Sequence, residues 1–310
     1  MADIFVESWA PEYGSPLDND EQLRPAEGSV DHTVEGVAWS PIDGRDDGEA
    51  VIAFVDGVQR VDARLTIDDP EQGPVPGLCG TIAAGATVWE RGVPVSTIQA
   101  AEVERWAIVG SGRSESLPVI DLHPGYRTTR SSSDDPAQLM QALGDLRQAA
   151  ERRIAARLAE SCSVIVDGPV HERSPVTVGC IKRHHVTYLE PAENRVVGRL
   201  GSGQRTPLFT ISNHRRYAWY VRLATLRGGH SWTGIVRCET PAHVPLPEAV
   251  AAADRTAALL PAVASEPHLD PRAPQNLVPI AALERELRHL MGDPGLVFRA
   301  LRAAVHAEAS

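Results

Sequence analysis

The sequence predicts an α/β fold, and three observations carry the prediction. Two short, β-prone apolar runs each end in Asp-Gly, VIAFVDG at 51–57 and SVIVDG at 163–168. An amphipathic helical stripe lies between them at 134–158, and three further helical segments close the chain. Residues 1–50 stand apart as an acidic irregular arm, with thirteen acids, two arginines and many Gly and Pro. Residues 51–310 form the folded domain, into which a basic β-rich segment is inserted at about 182–240.

Taken in order, VIAFV is a buried strand and Asp56-Gly57 a turn. Beyond it Val61, Ala63, Leu65 and Ile67 alternate with Arg60, Asp62, Arg64 and Thr66, so a second strand returns as a hairpin. LCGTIAAGATVWERG and STIQAAEVERWAIVG read as further strands in spite of their Gly and Ala content. The helix starts near 134, where Ser133 or Asp134 caps it and Pro136 suits the first turn. Its stripe runs through Leu139, Leu143, Leu146, Ala150, Ile154 and Leu158. Glu151 borders that stripe, roughly 80° from its centre, and Asp145 opposes it. SVIVDGP then repeats the strand-Asp-Gly device, and VTVGCIKRHH is the next strand, with Lys182 at its far end. TPLFTI, YAWYVRLA and WTGIVRCE are later strands. Helices follow at 247–260, at 277–291 through Ile280, Leu283, Leu287 and Leu290, and from Asp293-Pro294 after the Gly292 stop.

Composition excludes several classes. With 43% hydrophobic, 23% charged and 5% aromatic residues, the 310-residue chain is globular rather than collagenous, coiled-coil or disordered. Its apolar runs are far shorter than the ~18 residues that span a bilayer. The start, MADIFVESWAPEYG, carries acids where a signal peptide needs basic residues, so a cytoplasmic protein is expected. Cys79, Cys162, Cys180 and Cys238 stand far apart, which suggests neither a disulfide framework nor a zinc site. GSGR at 110 and GSGQ at 201 lack the GK[ST] ending of a phosphate loop and read as turns.

A formal charge of −11 argues against a nucleic-acid partner, but the average hides the distribution. Residues 182–237 hold ten Lys or Arg against two acids, interleaved with six of the fifteen aromatics. That composition suits backbone neutralisation and base stacking on a strand, through Arg60, Lys182, Arg183, Arg205, Arg215, Arg216, Tyr217 and Trp219. The alternative is a sheet whose aromatics face the core while arginines are solvated on the other side. Asp56 and Asp167 end two apolar strands, with Glu151 on the helix between them. If they converge, three carboxylates meet, and a hard divalent cation, Mg²⁺ or Mn²⁺, resolves their repulsion. Such a centre polarises a phosphodiester and activates water, and Lys182 stabilises the charge that develops. Against this, Asp-Gly is a common turn and helical glutamates are usually solvated.

FVDGVQR at 54–60, AERRIA in the helix, VIVDGP at 164–169, VGCIKR at 178–183 and PQNLVPI at 274–280 together resemble the NurA nuclease family, in its actinobacterial-type members. The resemblance covers roughly 50–291. It implies an RNase H-like mixed sheet flanked by helices, a Mn²⁺-dependent DNA exonuclease and endonuclease, dimerisation, and a HerA-type hexameric ATPase as translocase partner in DNA repair. By motif it assigns Asp56, Glu151 and Asp167 as metal ligands. The C-terminal Tyr-Pro and later His of the family are absent from PQNLVPIAALE, which leaves Glu284, His268 or Asp270 as a fourth ligand. Glu102 and Glu104 are the alternatives to Glu151, and His184-His185 is a further metal or phosphate candidate. The leading expectation is a metal-dependent DNA nuclease. Its rivals are a non-catalytic RNase H-like DNA-binding adaptor of a translocase complex and, less compatible with the basic segment, a carboxylate-pair sugar hydrolase.

Overall fold

A computed structural model describes residues 24–25, 28–69, 73–93, 96–113, 117, 120, 122–171, 177–211 and 213–308. Among them, strands and helices follow as β1 (Arg24–Pro25), β2 (Ile42–Asp43), β3 (Val51–Asp69), β4 (Gly73–Glu90), β5 (Thr97–Val109), β6 (Tyr126–Arg130), α1 (Pro136–Leu158), β7 (Ser163–Asp167), β8 (Thr177–Ile181) and β9 (Val186–Thr187). They continue as α2 (Pro191–Val197), β10 (Gln204–Arg205), β11 (Phe209–Ile211), β12 (Arg216–Arg222), β13 (Ile235–Pro241), α3 (Leu246–Val263), α4 (Val278–Leu290) and α5 (Pro294–Glu308). The fold is mixed α/β. Eleven of these strands form one sheet in the order β2-β10-β12-β13-β8-β7-β3-β4-β5-β6, with β11 paired to β12. β7–β8 and β5–β6 are parallel pairs, whereas β12–β13 and β13–β8 are antiparallel.

The described residues of Met1–Phe54, Val88–Ser96 and Ala155–Ala281 make one compact unit. Val55–Thr87, Thr97–Ile154 and Ala282–Ser310 make a second, and the divisions fall inside β3, β4, α1 and α4. In the first, the alanine face of α3 packs on Trp219, Val236 and Cys238, and Ile52, Phe54 and Ile280 join the same core. The opposite face of β12 is covered too, by Phe209, Ile235 and Val197 against Ala218 and Tyr220. In the second unit, two glycines of β4 receive helices. A side chain on Gly80 would meet Leu143 of α1 at 2.6 Å, and one on Gly85 would meet Leu287 and Leu283 of α4 at 3.0 and 3.1 Å. Five residues apart along a strand, those glycines face opposite sides, so α1 and α4 flank the sheet on opposite faces.

One expectation needs correction. Asp56-Gly57 is not a hairpin turn: β3 runs through it as one 19-residue strand. Gly57 serves a close approach instead, because a Cβ there would run into Glu151 Oε1 and lie 3.1 Å from the Ala83 carbonyl. At the second Asp-Gly the stop holds, with Gly168 at φ 102° ending β7. The acidic arm lies outside the described residues over 1–23 and 26–27. Its remainder is largely irregular but tied to the fold, since β2 joins the sheet through β10 and the Asp31 carbonyl accepts from the Thr210 amide.

Candidate metal centre

Strand alternation decides what Asp56 can reach. Gly57 faces Glu151 and Arg147 of α1, so Asp56 faces the other side of β3, together with Val58. That side is lined by α4, whose Leu283 and Leu287 pack on Val58 together with Met291 just beyond the helix. Upstream on the same helix, Ile280 packs in the core that holds Ile52 and Phe54. Glu284 therefore falls between these contacts, inside the apolar stripe of α4, and is 7% exposed. Arg288 approaches it at 3.5 Å from the solvent side.

On β7, Asp167 is the last strand residue and pairs in register with Cys180 of β8. Two residues further on and on the same face, Lys182 is buried, with Nζ 2.6 Å from Asp167 Oδ2 and 2.7 Å from Asn276 Oδ1. Asn276 is fully buried and donates Nδ2 to Asp270 Oδ2 at 2.6 Å. Burial opposes ionisation of Asp270, but donation from Asn276 and Arg272 outweighs it and holds that carboxyl below the usual carboxylate range.

One carboxylate oxygen each from Asp56, Asp167 and Glu284 lie within 4.8 Å of one another. At that spacing each ionised pair repels by at least about 3 kcal/mol at an effective dielectric near 20. The Lys182 ammonium offsets one of the three charges and the solvated Arg288 guanidinium part of a second, which leaves a net negative charge that a divalent cation would neutralise. All donors are hard oxygens, so the set fits Mg²⁺ or Mn²⁺ and disfavours a thiophilic metal. Lys182 is also the only lysine in the chain, beside twenty-nine arginines. A compact ammonium, rather than a fixed planar guanidinium, therefore stands beside the Asp167 carboxylate.

No protein-family model matches the chain, and no curated protein does either. Among solved structures it is similar to the NurA nuclease from Sulfolobus solfataricus. That likeness has a TM-score of 0.47 at 8% sequence identity, and covers 89% of this chain and 90% of the other.

The remaining expected site residues divide sharply. Glu151 lies on the α1 side of β3, ion-paired with Arg147, and is not part of the carboxylate triad. Glu104 and Glu102 pair with Arg153 across the second unit's surface. His268 is exposed beside Glu266. His184 is buried and held neutral, its pKa pushed down to about 3, chiefly by burial. Of the strand-binding set, Arg183 and Arg215 are exposed. Trp219 is wholly buried and donates to Thr256 Oγ1, so it offers no stacking surface. Arg205 is 1% exposed and clamped by Glu35 and Asp254. Arg216 is paired with the buried Glu239, and Tyr217 is half-buried. Arg60 holds Asp62 and the carbonyls of Met291 and Gly292. The cause is common to β12: both of its faces are covered, so interleaved arginines and aromatics are consumed inside. Asn276 was not singled out from the sequence. The signal is weak: Gln275-Asn276 is a polar pair directly before the apolar Leu277-Val278-Pro279-Ile280 that leads into α4.

Proposed function

We propose that the chain is a divalent-metal-dependent nuclease that hydrolyses DNA phosphodiesters, with Asp56, Asp167 and Glu284 holding the ion. The observation that supports this most is the convergence of those three carboxylates, remote in sequence, beside the single lysine. When bound, a hard divalent cation supplies Lewis acidity toward a phosphate oxygen and lowers the pKa of a water molecule. The chain's own residues do the rest. Asp167 is held by Lys182, whose ammonium offsets charge that develops on the scissile phosphate. The exposed Arg183 and Arg215 neutralise the strand's backbone.

On the resemblance to NurA sequences, the reading extends to Mn²⁺ as the working ion, a homodimer, an RNase H-like topology, and cytoplasmic DNA end processing with a HerA-type hexameric ATPase. Capture of such an ATPase by the purified chain tests the partner, and its failure to bind removes that extension alone. The activity is tested by incubating the protein with single- and double-stranded DNA and Mn²⁺, then repeating with Asp56→Ala, Asp167→Asn and Glu284→Gln. Each substitution is expected to lower cleavage by about 100-fold or more. Glu284→Gln is expected to cost more than Glu151→Gln; the reverse order would place the ion on the α1 side instead.

A further inference from the structure

We propose that Asn276, anchored by Asp270, is a positioning residue that fixes the Lys182 ammonium against Asp167. The inference rests on the nuclease reading and concerns how the site aims its own cation. Four side chains form one hydrogen-bonded line: Asp270 Oδ2 to Asn276 Nδ2 at 2.6 Å, Asn276 Oδ1 to Lys182 Nζ at 2.7 Å, and Lys182 Nζ to Asp167 Oδ2 at 2.6 Å. Chemistry fixes the direction of every link. A carboxylate only accepts and an ammonium only donates, so the amide between Asp270 and Lys182 has a single orientation, with its oxygen toward the lysine.

The far end of the line is also secured. Asp270 Oδ1 accepts from the Arg272 backbone amide at 2.7 Å, and the Arg272 guanidinium lies 3.5 Å away. The Asn276 backbone is tied at both groups, its N–H to the Arg272 carbonyl and its carbonyl to the Ser265 N–H. Asn276 is thus held from three sides while its oxygen meets the one flexible group in the line. A lysine side chain carries the rotamer freedom of a long unbranched stem. An acceptor on the side away from Asp167 removes that freedom and keeps Nζ from folding wholly onto the carboxylate that must also serve a metal.

Lys182 being the only lysine makes the test direct, since [15N]lysine labelling reports one ammonium. In the full-length protein, a protected ammonium cross-peak is expected. Asn276→Ala should lose it and lower kcat for Mn²⁺-dependent DNA cleavage by about 10- to 100-fold, with KM changed less than about threefold. Asn276→Asp alone sets two carboxylates against each other and should do the same. Asn276→Asp combined with Asp270→Asn rebuilds the line with the charge moved one link, and should recover the cross-peak and most of the lost rate. Wild-type protein that cleaves while Asn276→Ala cleaves equally well overturns this inference alone. So does a double variant no better than Asn276→Asp, provided both fold by circular dichroism. Wild-type protein that neither binds Mn²⁺ nor cleaves overturns the nuclease reading and this role with it.

Discussion

Arg222 shows what a guanidinium does in this chain. Its donors reach the carbonyls of Leu200, Thr233, Gly198 and Ser231, so it is a buried donor that ties four backbone acceptors together. Lys182 does something else: it presents a point charge to one carboxylate and one amide. The residue two positions later gives a pH signature. His184 donates through Nε2 to the Ile235 carbonyl, lies against the Tyr220 and Trp232 rings, and has its pKa lowered to about 3, first by burial and then by Arg237. In the unfolded chain a histidine takes up its proton near pH 6.5. Between about pH 6.5 and 3 the unfolded state therefore binds the extra proton, and stability falls as pH falls. The contribution is complete above pH 6.5 and is lost at roughly 1 kcal/mol per pH unit below it. Urea titrations at pH 7 and pH 5 should show a smaller loss for His184→Asn than for wild type, and equal losses would contradict the assignment.

At the level of elements, β3 and α4 carry the site. Much of this was legible: the amphipathic helices and the strand ending at Asp167 follow from periodicity and turn chemistry. The reading of Asp56-Gly57 as a turn failed because glycine has two uses, and here a helix side chain approaches the strand backbone. From the sequence, Glu151 borders the α1 stripe and is the first choice as helix ligand, whereas Glu284 is one of three choices for a fourth. Only the alternation of β3, which sends Gly57 toward α1 and Asp56 toward α4, separates them. The arginine-aromatic pattern of β12 misled in the same way, since no periodicity reveals that a strand is covered on both faces. Arg205 makes this testable. Its guanidinium joins Glu35 in the arm to Asp254 in α3, and also donates to the Thr206 carbonyl. Truncation leaves two acids without their cation, so Arg205→Ala should destabilise the fold by about 3–5 kcal/mol in chemical denaturation. A loss below about 1 kcal/mol would return Arg205 to the list of surface cations.

For the molecule as a whole, the sheet collects acids that the chain keeps far apart, and the described residues contain no helix long and apolar enough to cross a membrane. A site with a net negative charge resists folding until a cation joins it, so ion binding and stability are linked. At 100 times its Kd, an ion that binds only the folded state adds about 2.7 kcal/mol. Thermal unfolding with Mn²⁺ should shift upward, EDTA should reverse the shift, and Asp56→Ala should abolish it; an equal shift in that variant would move the ion elsewhere. The most direct measurement is anomalous scattering from a crystal soaked in Mn²⁺. The account expects one strong peak touching oxygens of Asp56, Asp167 and Glu284, at about the 2.0–2.6 Å of hard-cation coordination. A Mn²⁺-active crystal with its peak elsewhere, or with those three carboxylates bare, would contradict it.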